Sequence, residues 1–270
     1  MHDISKTLLV TDLDGTLLTS DKTISETDLK AVSDFREKGG LFTIATGRTI
    51  HSAKQYYDAL AIDIPIILYN GAVIYSPADK KILYCHTLKA GSENIVREIL
   101  DRFEFAGCEI LKPDGVYVVR NNKYEQEHIE ICRAEPFFCN IEDMECNDWL
   151  KVLFAMSPEK SDELWDFVQT LDNSADFIRS SNSFIELLPH NVSKGNALEN
   201  YKKITEIDIS CIAAAGDYNN DIEMLEFADL GAVPANACND AAAAADYISQ
   251  KSCDENFIDD FVKYIFTEGI

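Results

Sequence analysis

Apolar residues recur along the chain in two rhythms, and the change between them divides it. Leu8-Leu9-Val10 is an apolar run too short for a helix and reads as a buried strand. Residues 41–45, 66–69, 209–215 and 230–233 repeat that form. Between them, apolar positions return every three or four residues. Leu29, Val32 and Phe35 follow a Ser25-Glu26-Thr27-Asp28 capping-box signal and stop at Gly39-Gly40. A second helix is predicted over 49–60, a third through Ile222, Leu225 and Ala228, and a last one through Phe257, Ile258, Phe261, Val262 and Ile265. Strands alternating with helices predict a parallel sheet with crossover helices.

The rhythm breaks near Ala72, where residues 72–75 and 81–85 flank Ser76-Pro77-Ala78-Asp79 and predict a hairpin. A mixed stretch follows, with a helix from Ser92, strands at 109–111 and 116–120 around Pro113-Asp114-Gly115, and a short helix over 125–132. A strand at 149–156, a helix over 158–171 and strands at 177–179 and 184–188 complete it. Past Pro189 the first rhythm resumes, with a helix opening at Lys194-Gly195. The pattern predicts an α/β chain. A doubly wound, mainly parallel, Rossmann-like sheet core spans residues 1–86 and 188–270, and an α+β domain is inserted over 87–187.

At 270 residues and 46% hydrophobic, the chain can bury a substantial core. Its formal charge of −23 argues against nucleic acid or an anionic membrane as partner. Any anionic substrate therefore needs locally concentrated positive charge. The eight cysteines form no Cys-x-x-Cys pair and read as reduced thiols. Residues 1–6 carry no apolar signal segment, and no run of 18 apolar residues occurs, so a cytoplasmic protein is expected.

Polar residues crowd three of the predicted strand ends. Asp12 and Asp14 follow the first strand, Thr46 and Arg48 the second, and Asp217 and Asp221 a later one. In open α/β sheets, ligands bind beyond the carboxyl ends of strands, and the helix opened by Lys194 can reach the same crevice. Asp12 and Asp14 are two apart, so on an extended strand they share a side and repel each other unless a cation or a proton intervenes. Several carboxylates with a hydroxyl, an amide and one lysine suit a hard divalent cation, Mg²⁺, holding a phosphate. A calcium loop does not fit, since in a loop whose first place is Asp217 the sixth and twelfth places hold Ile222 and Ala228. Walker-A, G-x-G-x-x-G, H-E-x-x-H and G-x-S-x-G sequences are all absent.

Asp12-Leu13-Asp14-Gly15-Thr16, Thr46-Gly47-Arg48, Lys194-Gly195 and Gly216-Asp217-x-x-Asn220-Asp221 together resemble the four motifs of the haloacid dehalogenase superfamily. The likeness is strongest to its Cof-type phosphatases, which insert a large cap between the second and third motifs. The resemblance implies a Mg²⁺-dependent phosphatase acting on a small phosphorylated metabolite, a sugar phosphate or a phosphorylated cofactor. Asp12 is then the nucleophile and Asp14 the acid/base, with a pKa above that of Asp12. The Asp12 carboxylate, the Asp14 carbonyl and Asp217 would hold the metal, and Asp221 would orient the metal's water or Lys194. Leu13, Thr46, Gly47, Lys194 and Asn220 would cradle the phosphate, while Arg48 would meet the leaving group. The cap would open and close over substrate, and the chain is expected to be a monomer or weak homodimer. A phosphomutase-type transfer and a non-catalytic phosphometabolite-binding protein stay open as alternatives.

Overall fold

The computed structural model describes residues 4–132, 134–171 and 175–268; the first three residues of the segment read above for a signal sequence lie outside this range. Two compact units emerge, one from residues 1–84 and 193–270, the other from 85–192. No helix among the described residues is long and apolar enough to cross a membrane.

The first unit opens with β1 (Thr7–Thr11), every residue of which is buried. α1 (Glu26–Glu37) starts at Ser25, whose hydroxyl accepts the Asp28 N–H. The Asp28 carboxylate does not close the expected box on Ser25; its Oδ1 accepts the N–H of Asp259 at 2.8 Å instead. β2 (Leu41–Ile44) and α2 (Ile50–Ala59) follow, and α2 has a reciprocal Thr49/Ser52 cap. β3 (Ile66–Leu68), β4 (Val73–Ser76) and β5 (Lys81–Cys85) form a three-stranded sheet of their own, in that order. The expected third parallel strand thus pairs antiparallel with β4, and one isolated parallel bridge, Ala45 to Ile67, joins it to the end of β2. Asn70 (φ 55°) and Gly71 (φ 104°) reverse the chain directly after β3, and a strand followed by so tight a turn pairs with what comes next.

The second unit contains α3 (Ser92–Arg102), β6 (Gly107–Lys112), β7 (Gly115–Arg120), α4 (Lys123–Cys132), β8 (Phe137–Phe138), β9 (Lys151–Ala155), α5 (Pro158–Val168), β10 (Ala175–Ser181) and β11 (Phe184–Pro189). Its six strands run in the order β10-β11-β9-β6-β7-β8, all antiparallel except the β7–β8 pair. Ile110, Val152, Phe154, Ile185 and Leu187 make an apolar core with Val96, Ile99 and Leu100 of α3 and Leu164 and Val168 of α5.

The chain returns to the first unit through α6 (Lys194–Ile204), β12 (Cys211–Ala215), α7 (Ile222–Phe227), β13 (Leu230–Val233), α8 (Asn239–Ala243), β14 (Tyr247–Ile248) and α9 (Phe257–Glu268). The main sheet, in the order β14-β13-β12-β1-β2, is parallel throughout. Its face on Leu8 and Val10 packs with Leu198, Tyr201, Met224 and Leu225 of α6 and α7. Leu9 points to the opposite face by strand alternation, and α1 packs with α9. Helices on both faces explain why β1 is apolar at successive positions rather than at alternate ones. The sheet's central strands, β1 and β12, end side by side, and the polar residues gather there.

Candidate active site

Asp12 prolongs β1 by one residue, its N–H donating to the Ala215 carbonyl at 2.8 Å. Beyond it the chain folds back sharply, with Leu18 N–H donating to the Leu13 carbonyl at 2.8 Å. The turn separates the two aspartates that an extended strand would place on one side.

Asp12 is 5% exposed, and its Oδ1 accepts from Lys194 Nζ at 2.6 Å. Lys194, the first residue of α6, is 0% exposed and also donates to Asp221 Oδ1 at 2.5 Å. The other Asp221 oxygen accepts the backbone N–H groups of Asp217 at 2.9 Å and Tyr218 at 3.1 Å. Asp221 therefore contacts both the lysine and the loop that carries Asp217. Asp217 stands at the end of β12, its Oδ1 accepting from Thr16 Oγ1 at 3.2 Å. Oxygens of Asp12, Asp217 and Asp221 lie within 4.8 Å of one another.

Burial dominates the titration of these groups. It raises Asp12 to about 7, with Lys194 pulling down and Asp221 and Asp14 pushing up. Asp217 is raised to about 8 by burial and then by the charges of Asp12 and Asp221. Burial would lower Lys194, but the two aspartates on it overcome that and raise it, so it stays an ammonium ion. One lysine thus faces three carboxylates, and two of them resist ionising without a further cation. Hard carboxylate oxygens that repel one another in a buried niche fit Mg²⁺.

A folded-state carboxyl pKa above its unfolded value stabilises the fold at low pH, and the contribution is lost as pH climbs toward the folded value. In chelator, the melting temperature is therefore expected to fall between about pH 4 and pH 8 because of Asp12 and Asp217. Saturating Mg²⁺ should flatten the slope, and Asp217→Asn should reduce it. Thermal melts across that range, with and without Mg²⁺, provide the check; a metal-free slope that matches the Mg²⁺-loaded one would refute the assignment.

Asp14 faces other partners. Arg48, itself 8% exposed, forks its carboxylate through Nε at 2.6 Å and Nη2 at 2.7 Å, and Lys22 adds a contact at 2.9 Å. Burial alone would raise Asp14, but Arg48 and then Lys22 hold it down at about 2. The expected order of the two acids is thereby reversed in this state, because a bidentate guanidinium lies on the residue expected to be the more basic. Arg48, expected at the leaving group, here has Asp14 as its partner. The Tyr56 ring lies 4.9 Å from the Arg48 guanidinium, and its hydroxyl donates to the Lys22 backbone carbonyl at 3.1 Å, so one side chain touches both residues that hold Asp14.

Thr46 and Gly47 come to the same edge. Asn70 N–H donates to the Thr46 carbonyl at 3.1 Å, and Arg48 N–H donates to Thr46 Oγ1 at 3.2 Å. Asn220 Nδ2 donates to Asn70 Oδ1 at 3.1 Å. Asn70 therefore links the second and fourth motif loops. The Asn70-Gly71 turn after an apolar run was its visible signal, although the residues it joins were not. Gly15 is required by space and conformation. With φ +85°, a Cβ there would lie 2.4 Å from Asp217 Oδ2. Gly15→Ala is expected to cost about 1–3 kcal/mol and to weaken Mg²⁺ binding, read by urea titration and calorimetry.

Among known proteins, the pyridoxal phosphate phosphatase YbhA of Escherichia coli is 26% identical, covering 97% of this chain and 98% of its own. YitU of Bacillus subtilis, a 5-amino-6-(5-phospho-D-ribitylamino)uracil phosphatase, is 27% identical over 85% of this chain and 86% of its own. A haloacid dehalogenase-like hydrolase from Bacteroides thetaiotaomicron superposes with a TM-score of 0.83 at 24% identity, covering 96% of this chain and 99% of its own. The haloacid dehalogenase-like hydrolase profile matches residues 9–260, a span from the strand before Asp12 to the last helix, and so this chain belongs to that family of hydrolases, in its Cof-type branch.

Proposed function

We propose that the protein is a Mg²⁺-dependent phosphatase of small phosphomonoesters that works through a phosphoryl group carried on Asp12. The observation that carries this reading is the buried Asp12 at the end of the central strand, between Lys194 and a second acidic residue, Asp217. The Asp12 carboxylate, the Asp14 carbonyl and Asp217 would hold Mg²⁺. When bound, Mg²⁺ supplies positive charge to the phosphoryl oxygens and relieves the repulsion within the acidic cluster.

An Asp12 oxygen attacks phosphorus, the ester P–O bond breaks, and the departing alkoxide takes a proton from Asp14. Asp14 then accepts a proton from water as the water oxygen attacks phosphorus, which frees phosphate and restores Asp12. For the first step Asp14 must carry a proton, so substrate binding has to draw Arg48 or Lys22 off its carboxylate. Lys194, Thr46, the Gly47 and Leu13 N–H groups and Asn220 would hold the phosphoryl oxygens, with Lys194 supplying the local positive charge that an acidic chain needs. The inserted unit, residues 87–187 in the sequence reading, would select the alcohol.

Relatives acting on pyridoxal phosphate and on a phosphoribitylamino-uracil support phosphorylated cofactors and their precursors as the first substrates to try, with sugar phosphates beside them. The test is phosphate release from p-nitrophenyl phosphate and from a panel of such metabolites, run in ¹⁸O-labelled water with and without Mg²⁺. Mg²⁺-dependent release of phosphate containing one labelled oxygen is expected. Turnover that moves phosphate to a second alcohol without label would identify a mutase, and binding without turnover would identify a sensor.

A further inference from the structure

The second unit contains a buried polar cluster. In the antiparallel register Glu109 of β6 lies opposite Leu153 of β9, and Leu153 lies opposite Glu186 of β11. Lys151 stands two residues before Leu153. Cross-strand partners share a face, so Glu109, Lys151 and Glu186 lie on the side of the sheet away from Ile110, Val152 and Leu187. All three are buried, at 2%, 3% and 3% exposure. Lys151 Nζ pairs with Glu186 Oε2 at 3.0 Å, and Ser180 donates to Glu186 Oε1 at 2.6 Å.

α4 packs against β6 and β9 and contributes Glu125 and His128. Three residues apart, they share one side of the helix. Glu125 is 0% exposed, and among the described residues neither of its carboxylate oxygens meets a hydrogen-bond donor. Glu109 Oε1 lies 3.2 Å from His128 Nδ1, an ion pair when the imidazole carries its second proton. Ligand atoms of Glu109, Glu125 and His128 lie within 4.8 Å of one another. An unpaired buried carboxylate is among the most costly groups a fold can hold. Metal-free, protons balance the cluster: burial and then the Glu109 charge raise Glu125 to about 9, and Glu109 overcomes burial to raise His128 well above its ordinary value. With those two protons displaced, three carboxylates against one lysine leave two negative charges, the charge of one dication.

The position of α4 is set by its cap. Asn122 Oδ1 accepts the Glu125 N–H at 2.8 Å, and its Nδ2 donates to the carbonyls of Phe105 and Ala155, both at 2.8 Å. Gly107 permits the approach, since a Cβ there would lie 2.9 Å from Glu125 Cβ. His128 Nε2 lies 3.4 Å from Cys132 Sγ. With its proton on Nε2 facing that sulfur, the imidazole presents the Nδ1 lone pair to the two glutamates. The 3.2 Å between Nδ1 and Oε1 suits two ligands of one tetrahedral ion, whose bonds of about 2.0–2.2 Å set ligand atoms roughly 3.3–3.5 Å apart.

We propose that Glu109, Glu125 and His128 bind a divalent first-row transition ion of the Zn²⁺ class and that this ion fastens α4 to the sheet of the inserted unit. One nitrogen and two carboxylate donors favour Zn²⁺ over Mg²⁺, and three protein ligands leave a place for water. The role is structural, and phosphoryl transfer does not enter it.

The test uses the full chain, stripped with chelator and then held in excess Mg²⁺ to fill the first site. Zn²⁺ uptake is measured by equilibrium dialysis with metal analysis, and stability by thermal melting. Wild type and Asp217→Asn are each expected to retain one Zn²⁺ and to melt at higher temperature with it. Glu125→Gln and His128→Gln should each bind Zn²⁺ at least roughly 100-fold more weakly. In chelator, Glu125→Gln should melt no lower than wild type, because the amide keeps the shape of a carboxyl that burial leaves protonated there, and this comparison separates a lost site from a failed fold. Absence of Zn²⁺ uptake, or equal uptake by wild type, Glu125→Gln and His128→Gln, would overturn the proposal and leave shared protons as what reconciles the cluster.

Discussion

Asp12→Asn should lower phosphate release by roughly four to six orders of magnitude while leaving the fold intact, because the amide keeps the shape of the carboxylate but is no nucleophile. The buried Lys194 still has Asp221 to accept from it, so the variant should unfold near the wild-type urea midpoint. Single-turnover assays with p-nitrophenyl phosphate in saturating Mg²⁺ measure the chemical step. Activity within tenfold of wild type would remove Asp12 from the nucleophile's role. An inactive but well-folded Asp12→Asn protein should still bind substrate, which distinguishes loss of chemistry from loss of the site.

The second large effect belongs to Lys194. Replacing it with methionine leaves Asp12 and Asp221 buried with no ammonium between them. Breaking a buried ion pair from one side costs about 3–5 kcal/mol, so Lys194→Met should lose that much stability in urea at pH 8 together with its activity. Adding Asp221→Asn to Lys194→Met removes one of the stranded charges and should recover part of the loss, even though activity stays absent. A double variant no more stable than the single one would mean that the lysine contributes packing rather than charge. Mg²⁺ should also bind Lys194→Met more tightly, since a competing cation has left the cluster.

Much of this arrangement was legible because buried parallel strands are written as short apolar runs with polar ends. β1, β2, β12 and β13 could each be found from that form, and the strand ends named Asp12, Thr46, Asp217 and Asp221 without any contact being visible. Sequence spacing failed where local turns or distant partners decide. β3 read as a parallel strand because its Ile-Ile-Leu is apolar throughout, yet Asn70 and Gly71 hand it to β4. Asp28 sat at the right spacing for a capping box, and a backbone N–H from α9, more than 200 residues away, took its carboxylate. Asp14 looked like the more basic acid until Arg48 and Lys22 were found on it, and neither pairing has a spacing that a pattern could reveal. The two-residue β8 was invisible because Phe137-Phe138 is too short to show alternation and both rings are exposed. The Glu125/His128 pair lies in plain view at helical spacing, but its burial depends on Glu109, which reads from sequence as one charged residue in an apolar strand.

The parallel pairing of β1 with β12 also has a consequence in time. Thr7 to Thr11 leave the ribosome early and join β2 soon after, while Cys211 to Ala215, their other neighbours, are made about 200 residues later. At typical synthesis rates of about 5–20 residues per second, the uncharged edge of β1 waits roughly 10–40 s for its partner. The inserted unit is completed within that interval, and by folding first it shortens the loop that the two strands must close. The order of manufacture leaves β1 with one open edge through most of synthesis, so a nascent chain stopped before Cys211 exposes an edge suited to pairing with another copy of itself.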